Sequence, residues 1–310
     1  MAVCVTNTKG LWFALCLPVI LSIGLFTSSA HALPRDPAVS RTQIAFVEAG
    51  QLWVMPRSGG RATRVSNLPG QKFTPRFSPD GQKIAFGSNE AQGEINLYTM
   101  SLNDGTPRRI TFIPSHQQLT QWTSDNQLVF YTNSLCFSRI EMQLFTVPES
   151  GGLPTQLPVA YGSDGAIDDT GEWLAYTPNL QNSLYQYWRR YRGGGAQDLW
   201  LVNLRTHTSR RITDWTGGDW HPMWHGTTLY YLSDEGSENC MNVWRYEMRD
   251  ASRKQVTHFR DYDIRNASIG PDAIVFELGP QLLLLDLATG TSAPVQTDIP
   301  DPPSAHSRCR

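Results

Sequence analysis

The chain has 310 residues, with 26 basic and 28 acidic side chains and a formal net charge of −2. That balance argues against nucleic acid as a partner, because polyphosphate binding rests on an excess of lysine and arginine. Its 5 cysteines show no CxxC spacing, and a disulfide framework is a poor reading.

The first element is an export signal, residues 1–32. Lys9 precedes a 16-residue apolar run, Leu11 to Phe26, broken only by Pro18, Ser22 and Gly24. The run is shorter than the roughly 20 residues a membrane span needs. Ala30-His31-Ala32 supplies a small-x-small cleavage pattern, so the expected mature chain begins at Leu33 in the periplasm or outside the cell. An uncleaved anchor is the other reading of this run; after cleavage no membrane segment remains. No cysteine stands at the cleavage point, which argues against a lipid-modified form. Cys136, Cys240 and Cys309 stay in the mature chain and are expected to be unpaired thiols.

From Phe46 onward one unit recurs. An aromatic closes a short β-run at Phe46, Phe86, Phe130, Tyr176, Tyr231 and Phe276, and a second anchor follows at Trp53, Tyr98, Phe145, Trp200, Trp244 and Leu283. A third lies 12 residues beyond the second in all six units: Val65, Ile110, Leu157, Ile212, Val256 and Val295. A period of roughly 40–55 residues filled with short strands marks a β-propeller. The expected fold is therefore all-β: six blades of four antiparallel strands over residues 33–297.

Blade 2 shows the pattern: Pro75-Arg76-Phe77, a turn at Ser78-Pro79-Asp80-Gly81, Lys83 to Phe86, Asn96 to Met100, then Arg108 to Thr111. The turns Ser58-Gly59-Gly60, Asn103-Asp104-Gly105 and Ser150-Gly151-Gly152 supply residues that tolerate positive φ. Pro37 to Thr42 fits the first strand of blade 1 and Pro294 to Thr297 the last strand of blade 6. Every blade is then built from consecutive sequence, with no strand exchanged at closure. The seam between blades 1 and 6 is expected to rest on side chains alone. Residues 298–310 lack periodicity and are expected to be disordered.

The connection between the first and second anchors varies, with steps of 7, 12, 15, 24, 13 and 7 residues. The longest, in blade 4, contains Tyr185-Gln186-Tyr187-Trp188-Arg189-Arg190-Tyr191-Arg192 and has no acid between Thr177 and Gln197. Guanidinium groups held among aromatic faces suit bidentate capture of a carboxylate. Trp188, Arg189, Arg190 and Arg192 are thus candidate peptide-binding residues, with Arg139 in the matching connection of blade 3. A structural flap with solvated arginines is the plainer reading. A second candidate surface is the channel mouth, where loops enter the first strands and carry Lys72, His116, Asp164, His221, Asp263 and Arg265.

No catalytic constellation is legible: the sequence has no GxSxG elbow, phosphate loop or HExxH. His221 and His225, four apart on a strand, stand about 13 Å apart and cannot share a metal. Asp168-Asp169 and Asp261-Tyr262-Asp263 fall at turns, where aspartate commonly bonds the local backbone. Neither metal nor cofactor is expected.

The Phe77-Ser78-Pro79-Asp80-Gly81 turn followed by Lys83-Ile84-Ala85-Phe86 resembles the WD-like repeat of TolB and the tricorn proteases. Three further groups of residues resemble the N-terminal six-bladed propeller of tricorn-type serine proteases. They are Tyr187 to Gly194 with Asp198-Leu199-Trp200, Ser150 to Pro154 with Tyr161-Gly162, and Asp261 to Ser268. The likeness covers about residues 35–297. It implies a module that gates or docks peptides for a protease core carried on further domains, with basic residues anchoring a peptide's terminal carboxylate. Arg139 is the positional match for that anchor and Arg189-Arg190 the adjacent pair. The family continues into a second propeller, a PDZ domain and a serine-protease core, so the resemblance implies a truncated relative, or a dedicated stand-alone propeller, without catalytic residues of its own. Peptides, protein partners or a separate protease core are the implied partners. A TolB-like periplasmic interaction scaffold is the alternative.

Overall fold

The structure, a computed structural model, describes residues 33–90, 93–133, 141–178 and 190–300. The signal expected over 1–32 and the residues after Pro300 lie outside them. Among the described residues every regular element is a strand. The strands form six four-stranded antiparallel sheets, each drawn from consecutive sequence. Blade 1, for example, comprises Arg35–Val39, Gln43–Glu48, Gln51–Pro56 and Thr63–Arg64.

Hairpin register explains why the anchors repeat. The first and second anchors are direct cross-strand partners in all six blades: Phe46↔Trp53, Phe86↔Tyr98, Phe130↔Phe145, Tyr176↔Trp200, Tyr231↔Trp244 and Phe276↔Leu283. Two of these pairs stack, at 5.9 Å between the rings of Phe86 and Tyr98 and 5.7 Å between Phe130 and Phe145. The constant 12-residue step is a hydrogen bond. The N–H of each third anchor donates to the carbonyl just before the second: Val65 to Leu52, Ile110 to Leu97, Leu157 to Leu144, Ile212 to Leu199, Val256 to Val243 and Val295 to Leu282, all at 2.8–3.0 Å.

Alternation along the strands turns these side chains toward the neighbouring blade. The buried apolar residues accordingly separate into six clusters, each between two consecutive blades. Ala45, Leu52 and Val54 of blade 1 meet Ile84, Phe86 and Tyr98 of blade 2. Phe46, Ile44 and Met55 meet Val275 and Leu282 of blade 6. Six such seams close a ring.

At the last seam the structure corrects the expectation of side chains alone. Thr297–Asp298 runs parallel to Gly60–Arg61 of blade 1. The Gly60 N–H donates to the Gln296 carbonyl at 2.8 Å and the Ala62 N–H to the Asp298 carbonyl at 2.7 Å. The ordered chain thus passes the expected boundary at 297, and Ile299 packs against the blade 6–blade 1 cluster. The last strand of blade 6 is Ser292–Pro294, slightly earlier than its pattern suggests.

Candidate functional site

The first strand of every blade lines the axis, and in every blade its register breaks. In five blades the break carries a left-handed residue at the equivalent position: Asp36 (φ 50°), Thr74 (43°), Asp164 (56°), His221 (51°) and Asn266 (46°). Asp36, Thr74 and His221 precede Pro37, Pro75 and Pro222, whose missing N–H interrupts the ladder with the second strand. A bulge of this kind re-aims side chains and releases backbone donors.

Neighbouring blades use those donors. The Asp36 N–H donates to Glu277 Oε1 of blade 6 at 2.8 Å, the Thr74 N–H to Asp36 Oδ2 at 3.2 Å, and the His221 N–H to Asp164 Oδ2 at 2.8 Å. Arg76 Nε donates to the Thr120 carbonyl at 2.8 Å, and Thr120 Oγ1 to the Gly165 carbonyl at 2.7 Å. The waist of the channel is therefore polar and cross-linked.

Charges at the waist are paired unequally. Glu277 accepts Arg35 Nη1 at 2.7 Å and Asn266 Nδ2 at 2.7 Å. Burial opposes ionisation of Asp164, but the His221 ring, 3.3 Å away, and Arg76 hold its pKa below the ordinary value. Burial raises the pKa of Asp36; the Thr74 N–H opposes that, and nearby Glu277 adds to it. Burial also pulls the Arg76 guanidinium below its usual range, with Asp36 and Asp164 opposing.

A cavity of about 360 Å³ opens on one side of this waist. Its wall includes Asp36, Arg190, Trp220, His221, Asp263 and Arg265. Another, of about 670 Å³, lies among the turns between first and second strands, including Ser78 to Gln82 and His225-Gly226. His221 faces both.

Of the channel-mouth candidates, the structure brings His221, Asp263 and Arg265 to the smaller cavity. Asp164 sits deeper, against His221, and lines the larger one. Lys72 points elsewhere: it is buried, and its ammonium is spent on the carbonyls of Leu68, Pro69 and Gly70. His116 is exposed and lines neither cavity. In the blade 4 connection Arg190 reaches the smaller cavity. Arg192 instead bonds Asp234 at 2.7 Å and lies over the Trp215 ring at 5.2 Å. Arg139, Trp188 and Arg189 lie outside the described residues, as do Cys136 and Cys309. Cys240 is buried, its thiol on the Arg260 carbonyl at 3.1 Å. Among the described residues no grouping of three or more His, Cys, Asp or Glu could hold a metal.

Asp36, Arg76 and Glu277 were not legible as site residues. The one available signal was X-Pro recurring in the first strands, at Asp36-Pro37, Thr74-Pro75 and His221-Pro222.

Six radial sheets around a polar axis, with a cavity at one mouth, define a six-bladed β-propeller. The tricorn protease N-terminal beta propeller domain matches residues 31–291, and the chain belongs to that family. Tricorn protease homolog 1 of Streptomyces coelicolor is 27% identical over 89% of the chain, and the tricorn protease homolog of Saccharolobus solfataricus 23% over 85%. The chain spans about a quarter of these relatives, 26% and 24% of their lengths. The crystal structure of the tricorn protease superposes with a TM-score of 0.74 at 19% identity, covering 88% of this chain and 27% of that one. A TolB of Agrobacterium tumefaciens shares the fold at a TM-score of 0.59 and 18% identity, covering 75% of this chain and 83% of its own.

Proposed function

We propose that this chain is an exported propeller that docks peptides at the channel mouth, serving a tricorn-like protease core. One observation carries the reading. The end of the arginine-rich blade 4 connection, Arg190 and Tyr191 with Ala196, walls the same cavity as the channel-mouth residues His221, Asp263 and Arg265. Two surfaces that looked separate in sequence thus line one concave site, and concave sites with convergent polar groups are where ligands bind. The arginines would hold a terminal carboxylate; the aromatic and aliphatic wall would hold the last side chain.

Short peptides with free and amidated C-termini, titrated against the wild type and the double variant Arg189→Ala/Arg190→Ala, test this. Amidation and the double substitution should each weaken binding, by roughly tenfold or more for a lost charge-assisted pair. Equal affinity in all four combinations would remove the carboxylate role. Export is tested separately by N-terminal sequencing of the mature product, expected to start at Leu33.

A further inference from the structure

We infer that the smaller cavity also takes a primary ammonium group of a peptide, bound by the Asp36 carboxylate. The inference rests on the docking reading for its choice of ligand, but its observations are independent.

The carboxylates of the cavity wall differ in what already holds them. Glu277 has Arg35, Asn266 and the Asp36 N–H. Asp234 has Arg192 at 2.7 Å and the Trp215 indole N–H at 2.9 Å. Asp263 accepts the Met241 N–H at 3.0 Å and has a further interaction. Asp36 accepts one long bond, from the Thr74 N–H at 3.2 Å, and no ion pair reaches it among the described residues. The basic side chains facing it are engaged elsewhere. Arg76 donates to the carbonyls of Thr120 and Pro75, at 2.8 and 2.7 Å, and His221 serves Asp164. Asp36 is half-buried, a placement in which a carboxylate gains from a cation, and burial raises its pKa.

Geometry says why the charge is held there. Asp36 is left-handed, an arrangement aspartate adopts more readily than most residues, and the bulge ties its N–H to blade 6. Backbone strain kept at such a point is characteristic of binding sites. Beside it, Trp220, Leu232, Met241 and Ile264 offer an apolar wall for one side chain. Beyond it, Arg76, Asp164 and His221 cross-link the waist. A half-apolar cavity of about 360 Å³ with a carboxylate that no ion pair reaches suits the ammonium of a chain end or of a lysine.

Calorimetric titration of the full chain with four probes tests this: a lysine-free pentapeptide, its N-acetylated copy, an acetylated copy carrying one lysine, and propylamine. N-acetylation of the lysine-free peptide should weaken binding roughly tenfold or more, as expected for one charge-assisted bond. Asp36→Asn, which keeps the acceptor for Thr74 and tolerates the backbone, should erase that difference. Restored affinity in the lysine copy would assign a side-chain ammonium, and its absence a terminal one. Equal affinity of free and acetylated lysine-free peptides overturns the inference and leaves peptide docking standing. Propylamine binding that needs Asp36, with no peptide bound, supports the ammonium site and removes peptide docking. No binding of any probe overturns both. The wild-type comparison needs no variant, so the test survives a misfolded Asp36→Asn.

Discussion

The carboxyl group of Asp219 is fully buried between blades 4 and 5, and neither oxygen has a hydrogen-bond partner of good geometry. Burial, offset in part by the nearby Ser233 and Thr213 hydroxyls and reinforced by Asp198 and Glu235, pushes its pKa from 3.8 up to about 7. In blade 3 the same register position holds Gln117, whose amide donates to Asn96 at 3.0 Å. Blade 5 thus has an acid where blade 3 has an amide. Between 3.8 and about 7 the folded chain keeps a proton that the unfolded chain has lost. Stability therefore falls as pH rises through that interval, and the full penalty is present above it. Asp219→Asn should stabilise more at pH 8.5 than at pH 5, the difference being on the order of 2–3 kcal/mol at most. Thermal melts of both proteins at both pH values check this; a stabilisation no larger at pH 8.5 than at pH 5 would remove the buried-acid explanation.

At the scale of the strand, the anchors were legible because their chemistry repeats. Phe130 predicts its own burial from an apolar run, and the structure places it at 0% exposure against Phe145 and Leu128. Phe130→Ala should destabilise by about 3–5 kcal/mol, the cost of a large cavity in a seam that cannot collapse. Denaturant unfolding measures it, and a loss below about 1 kcal/mol would contradict this packing. The bulges were not legible, since Asp36, Thr74, Asp164, His221 and Asn266 share neither size nor charge. What they share is a backbone conformation, which residue types record weakly. Lys72 misled for a related reason: a charged residue in a loop sequence reads as exposed, yet three converging carbonyls can bury its ammonium. The candidate site was half legible, through residues whose charge stands out, and illegible where backbone donors cross-link the blades.

For the ring as a whole, closure is the step that no single blade can supply. Two backbone hydrogen bonds, from the Gly60 and Ala62 N–H groups to the Gln296 and Asp298 carbonyls, fasten the last blade to blade 1 at the edge of the apolar seam. That segment shows no hydrophobic pattern, so nothing in its sequence announces a parallel pairing. The turn glycines let the contribution of this clasp be isolated. Gly59 in blade 1 and Gly151 in blade 3 occupy matching turns with φ of 87° and 84°. A Cβ on Gly59 would stand 2.7 Å from the Gln296 carbonyl oxygen, whereas one on Gly151 would meet nothing nearer than Arg108 Nη2 at 3.7 Å. Both alanine substitutions incur the left-handed strain of roughly 1–2 kcal/mol. Only Gly59→Ala also forces the clasp apart, which should add about 1–3 kcal/mol. Hydrogen exchange gives the local readout: in Gly59→Ala the amides of Gly60 and Ala62 should lose protection, while in Gly151→Ala they should keep it. If the two variants melt together and both amides stay protected, the parallel pair contributes nothing to closure, and the side-chain seam between blades 1 and 6 suffices to hold the ring.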